Sequence, residues 1–378
     1  MAELMSTGER LPTMHLTSGE GTALVDLARL VTEVSGKGGI EVTSAHPYDV
    51  SAFVGDPGLA NRRLPAAGGA MKTAPAIIRE RDGSAMITVP AGGAVIGTAD
   101  EATLTAVAEA VPWYDVQHIE ATMPGATTPA YLVDVFPVIC GQFADWLNGT
   151  HAECVTADGG RRAMRGDVAL AVDAVQWVAS RKIPGSAHAV GIEWSGRRWQ
   201  PVADCASLPV TLVTWHGARA YAEHVGARLP TETEWEKAAR GPDGLRFPWG
   251  NEYEAGRANL ADYWAGSPID SQQTWDEVFY QGGKGPGWLA SRPTPAGTFP
   301  GGTSPYGCQD MIGNVAEWCA DLYDATGEGG RADFRAMRGA GRYGYEAISR
   351  CAVRRRRAPE SVGENLGFRC VRALSDAA

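Results

Sequence analysis

The sequence predicts an α+β fold of short strands, two central helices and long ordered loops, preceded by a small N-terminal α/β region. Three observations predict it. The 378-residue chain is rich in Gly (47), Pro (23) and Trp (12), a mixture that suits turns and packed aromatics better than a helical bundle. Two helices are marked by their caps in the middle of the chain. An Asp-Gly pair between β-rich runs marks a hairpin. With 44% hydrophobic residues, the chain can bury a substantial core.

The elements follow in order. Residues 17–36 read as a helix, because Leu24, Leu27, Val31 and Val34 recur at helical spacing and Gly36 is a natural stop. Pro65-Ala66-Ala67-Gly68-Gly69 reads as a linker, which divides the chain into an accessory region, 1–75, and a main domain, 76–375. The hairpin runs from Ala76 to Arg81, turns at Asp82-Gly83 and returns from Ala85 to Val89. Both turn residues are expected at positive φ. Tyr131 to Val138 reads as a buried strand before a helix at Gly141 to Leu147. Thr214 caps a helix carrying Trp215, Ala218, Tyr221, Ala222 and Val225 on one side, ended by Gly226. Thr231 and Glu234 form a capping box for the next helix, which Gly241 closes. Trp235 and Ala238-Ala239 are expected to face the core.

Charge and cysteine usage narrow the function classes. With 34 Lys+Arg against 44 Asp+Glu the formal charge is −10, so no long-range attraction to nucleic acid is expected. No apolar run approaches the ~20 residues of a membrane helix, and Met1 to Arg10 lacks a signal pattern. The expected location is cytoplasmic, or outside the cell by release without a standard signal. Seven cysteines without a Cys-x-x-Cys spacing fit neither a closed zinc site nor a complete disulfide framework. The seven histidines show no His-x-x-x-His spacing, and no Gly-x-Ser-x-Gly, Walker loop or dinucleotide fingerprint occurs.

Four segments carry a resemblance. Arg228 to Glu236, Gly307 to Trp318, Arg338-Gly339-Ala340-Gly341 and Asn365 to Cys370 resemble the formylglycine-generating enzyme (sulfatase-modifying factor) family. The resemblance covers roughly 85–372 and leaves 1–75 unexplained. It implies a C-type-lectin-like fold. It also implies that the cysteines matching Cys351 and Cys370 pair, in secreted members, with positions that here are Ala239 and Ala222. Losing both partners fits a reducing compartment.

The resemblance bears on cofactors. The family's Gly-Asn loop binds calcium, which implies ligands from Ile312, Gly313, Val315 and Glu317, mostly through backbone oxygens. Oxygen-rich turns of this kind suit a hard cation. The alternative is a cation-free turn with Glu317 hydrogen-bonded within it. A second calcium site keeps Asn259 and Leu260, but the insert Ala265–Leu289 displaces its later acidic residue and Trp288 stands in its place. The family's oxidising step needs two cysteines that hold Cu(I). Counting back from Arg350-Cys351, those positions are Gly341 and Glu346, and Ala320 to Arg350 contains no cysteine. No copper chemistry is expected. Iron-dependent sulfoxide synthases sharing this domain use a histidine triad, and the present histidines do not reproduce it.

What remains is a surface. Arg342, Tyr343, Tyr345, Glu346 and Ile348 fill the lost cysteine segment, and Arg355, Arg356 and Arg357 follow. Tyr and Arg supply contact area and hydrogen bonding. Arg354 matches an arginine the family uses internally. In related variable proteins of diversity-generating retroelements this stretch is a ligand-binding face. One expectation is therefore a non-oxidising module that binds a peptide, protein or glycan, with an acidic ligand favoured by the arginines. The other is an enzyme with non-copper chemistry that tailors a peptide or natural product.

Overall fold

Four antiparallel strands open the described fold: Ile77–Ile78, Ala85–Val89, Tyr131–Asp134 and, from the far end of the chain, Val371–Ala373. The computed structural model describes residues 76–112, 120–157, 160–181, 189–323 and 333–374. The helix at 17–36 and the linker at 65–69 lie outside the described residues. The hairpin forms as expected, with a correction at its turn. Ile78 faces Ala85, the Gly83 amide donates to the Arg79 carbonyl, and only Gly83 takes a positive φ. The loop is therefore longer than a two-residue turn, and Asp82 is spared the left-handed conformation.

A second four-stranded sheet is ordered Arg354–Arg357, Arg335–Arg338, Ala316–Leu322, Leu366–Gly367, with only the last pair parallel. A three-stranded meander covers 153–172. Among the described residues the α-helices of eight residues or more are α1 (Glu101–Ala110), α2 (Cys140–Gly149), α3 (Ala174–Arg181), α4 (Trp215–His224) and α5 (Glu232–Arg240). Both caps act as their chemistry requires. Thr214 accepts from the Gly217 amide, and Thr231 and Glu234 form a reciprocal box.

Apolar packing and buried charge hold the layers together. Phe143, Trp146, Tyr221 and Phe368 pack edge-on and stacked between α2, α4 and the C-terminal segment. Trp235, Ala238 and Ala239 of α5 bury against Tyr131, Met311 and Cys351, as the sequence predicts. Glu232 of α5 takes Arg354 in a two-pronged pair, 2.6 Å at each oxygen. Glu236 pairs with Arg338 and Arg240. All seven cysteines are free. Cys351 shares a cluster with Ala239, and Cys370 shares one with Ala222. Small apolar side chains stand where a second sulfur would be needed. Among the described residues no helix is long and apolar enough to cross a membrane.

Candidate functional site

The Gly313-Asn314 turn is built by close approach. Gly313 and Asn314 both take positive φ, and a Cβ on Gly313 would lie 2.6 Å from the Asn259 carbonyl oxygen. The strand leaving this turn presents Glu317, which is completely buried. Its Oε2 accepts from Arg369 Nε (2.7 Å) and from the Trp235 indole (2.7 Å), and its Oε1 accepts from Arg369 Nη2 (2.8 Å). The remaining Arg369 protons go to the carbonyls of Asp134, Val135 and Gln309. Glu317 is thus the counter-ion of a buried arginine that ties both sheets to α5.

The side chains of the turn are committed to protein partners. A cation at the Glu317 carboxylate would face the Arg369 guanidinium. Asn259 is also engaged, since its Oδ1 accepts from the Trp264 indole (2.6 Å) and its carbonyl from the Asn314 amide (2.9 Å). Leu260, Ile312 and Val315 are buried core residues. Among the described residues no group of three or more His, Cys, Asp or Glu could hold a metal ion. The side chains of Glu317 and Asn259 are thus engaged within the protein. Each carries an internal hydrogen-bond network.

The segment that replaces the cysteine pair has its own geometry. A Cβ on Gly341 would lie 2.8 Å from both Asn365 Cβ and the Asn365 carbonyl oxygen, so a side chain there requires the backbone to shift. Glu346 opens a single 3-10 turn, Glu346–Ile348, and is half-buried. Burial raises its carboxyl above the usual range, while Arg246 and Arg350 pull it back and Asp270 and Glu252 push it further up. The nearest sulfurs in this half of the core are no substitute. Burial pushes the Cys308 thiol up to about 11 and the Cys319 and Cys351 thiols up as well, so they stay protonated and poor in thiolate.

The expected ligand face divides. Arg342, Tyr345 and Ile348 are buried, a correction to their assignment as surface residues. The cause is the insert. Trp288 stacks on Tyr343 at 4.4 Å, the Trp275 indole donates to the Tyr343 carbonyl, and Tyr345 donates to Gln272. Phe279 and Ile348 share one apolar cluster. Arg342 lies over the Tyr343 ring and donates to its hydroxyl, which in turn donates to Glu364. Arg355 is half-buried and donates to the Ile348 carbonyl, while Arg356 and Arg357 are exposed. Arg356 lies over Tyr323 (5.4 Å) and Phe334 (5.2 Å). These arginines form the outer strand of the second sheet.

A cavity of about 200 Å³ opens beside the start of α1, lined by Asp100 and Thr103 among others. It lies between Val95–Thr103, Gly244–Asn251 and Arg350–Ala352. Sequence reasoning missed it. Its walls come from segments far apart in the sequence, with Thr122 and Arg240 among them, and the local signal was Asp100, whose carboxylate caps α1 through the Thr103 amide.

The interleaved strands, the capped helix pair and the Gly313–Trp318 turn locked on Arg369 together define a sulfatase-modifying-factor scaffold of C-type-lectin-like α+β architecture. The chain belongs to the family described as sulfatase-modifying factor enzyme 1-like domain, which matches residues 73–374. It is 37% identical over 171 residues to the inactive C-alpha-formylglycine-generating enzyme 2 of Bos taurus, covering 43% of this chain and 50% of that protein. The match thus spans about half the length of that relative. It is 26% identical over 356 residues to the formylglycine-generating enzyme of Bos taurus, covering 84% of this chain and 86% of that one. Among solved structures, PvdO from Pseudomonas aeruginosa aligns at 20% identity and a TM-score of 0.49, covering 81% of this chain and all (100%) of that one. Treponema denticola variable protein 1 aligns at 20% identity and a TM-score of 0.37, covering 76% of this chain and 95% of that one.

Proposed function

We propose that this protein binds an acidic peptide or protein segment along the outer arginine strand without oxidising it. One observation carries the reading: the two positions that the resemblance matches to the family's copper-holding cysteines are Gly341, closed by Asn365, and Glu346. Next to them an edge strand presents Arg356 and Arg357 to solvent, with Arg355 half-buried between them and the loop. Guanidinium groups held on aromatic rings lose little freedom when they pair with carboxylates. An edge strand also offers backbone groups to an added strand.

The test has two arms. The purified chain is incubated aerobically with copper and a cysteine-bearing peptide, and separately offered an immobilised oligoglutamate peptide. No mass change in the cysteine peptide is expected. Retention on oligoglutamate is expected to fall roughly tenfold for the double substitution Arg356→Glu with Arg357→Glu. Aldehyde formation, or equal retention of the variant, overturns the proposal. A second reading, an enzyme with non-copper tailoring chemistry, draws on Glu346. A half-buried carboxyl with a raised pKa beside two arginines suits general acid–base work. A mass change in a peptide without cysteine, lost in Glu346→Gln, would select it.

A further inference from the structure

We propose that the cavity beside α1 is a binding subsite for a single carboxylate on a small apolar body, with Arg246 as its anchor. The proposal stands independently of the outer arginine strand. Three guanidinium groups line the cavity, those of Arg240, Arg246 and Arg350. Arg240 is saturated by Glu236 and by the carbonyls of Gly97, Gly244 and Leu245. Arg350 pairs with the buried Glu120, which also accepts from the Thr98 hydroxyl. Both arginines build the floor.

Arg246 is different. It is half-buried, and among the described residues its guanidinium makes one hydrogen bond, Nη2 to Thr103 Oγ1 at 2.8 Å. The Thr103 hydroxyl in turn donates a hydrogen bond to Asp100 Oδ2, the same oxygen that caps α1. Asp100, which also lines the cavity, feels the Arg246 charge but spends its hydrogen bonds on the Thr103 amide and hydroxyl at the helix end. Glu346 is within electrostatic reach of Arg246 but forms no ion pair with it. The loop is fixed at this point, because the Arg246 amide donates to Asn251 Oδ1 and its carbonyl accepts from Cys351. The result is a guanidinium positioned by the backbone on both sides, with a planar donor fork that matches a carboxylate.

The rest of the lining sets the ligand's body. Val95, Ile96, Ala99 and Ala352 supply an apolar wall, and pockets that bind small molecules combine such walls with a few fixed polar groups. A volume of about 200 Å³ accommodates a molecule of amino-acid size. The shared chemistry has two sources, a peptide C-terminus or a free short-chain acid.

The experiment is calorimetric titration of the full chain with three probes: N-acetyl-L-valine, its amide, and isovalerate. Both carboxylates are expected to bind saturably at millimolar concentrations, the amide not at all, and added salt to weaken binding. Tighter N-acetyl-L-valine marks the peptide source, and tighter isovalerate the free acid. Arg246→Gln is expected to weaken both acids roughly tenfold. Ala99→Leu, at an exposed lining position away from the fork, fills the mouth and gives the same loss should Arg246→Gln fail to fold. Equal binding of the amide, no saturable binding of either acid, or unchanged binding in Ala99→Leu overturns the subsite.

Discussion

Arg369 and Arg356 stand near each other in sequence and in opposite surroundings. Arg369 is completely buried, with Glu317 on two prongs and three carbonyls on its other protons. Arg356 is exposed and leans on Tyr323 and Phe334. The comparison separates what the scaffold requires from what it presents. Removing one partner of a buried pair leaves the other charge without compensation, whereas an exposed arginine is solvated with or without a partner. The arginine run divides by the same rule. Arg354 is drawn inward onto Glu232, and Arg356 and Arg357 are left outside.

The largest expected effect is Glu317→Ala. It strands Arg369 and orphans the Trp235 indole, so unfolding in denaturant should report a loss of about 3–5 kcal/mol. The loss should be the same with and without a calcium chelator, because the carboxylate serves Arg369. A loss that shrinks on chelation would return a cation to the Gly313–Glu317 turn and break the contrast with Arg356.

A finer test lies beside the same arginine. Burial pushes the Asp310 carboxyl up to about 6, with Glu317 adding to the rise and the Gly297 amide and the Arg369 guanidinium opposing it. The folded state then holds a proton more tightly than the unfolded state does. Its contribution is fully present below the unfolded value of 3.8 and is lost as pH rises to about 6. Asp310→Asn cannot ionise, so its stability relative to the native chain should improve steadily across that window and level off above it. Parallel pH curves for the two proteins would show that Asp310 is not held protonated.

The contrast also explains which parts were legible in the sequence. Local chemistry was: Thr231 with Glu234, Thr214 before Trp215, and Gly313-Asn314 each act within a few residues. Long-range pairing was not. The Arg369 that engages the Glu317 carboxylate lies 52 residues away, and Tyr345 looks like a hot spot until Gln272 and Phe279 are found packed with it. The aromatic run Trp264, Trp275, Phe279, Tyr280, Trp288 was the available signal that the insert covers something. Nothing local distinguishes Arg246 from a solvated loop arginine. The role proposed for it depends on Thr103, itself held by Asp100, reaching it from another segment.

The smallest expected effect on stability is that of Arg356→Ala. Tyr323 keeps Arg354 over its ring at 4.7 Å, so the aromatic shelf survives the truncation. Exposed cation–π contacts and surface charges are each worth about 0.5–1 kcal/mol or less, and unfolding should shift by no more than about 0.5 kcal/mol. Binding is where the residue should count. An acidic peptide that docks on the outer strand loses one of its few solvent-facing guanidinium partners, so its dissociation should quicken and its salt dependence flatten. A variant that folds like the native chain yet releases the peptide faster separates presentation from scaffold. A variant that loses stability on the scale of Glu317→Ala would mean that Arg356, too, is part of the frame.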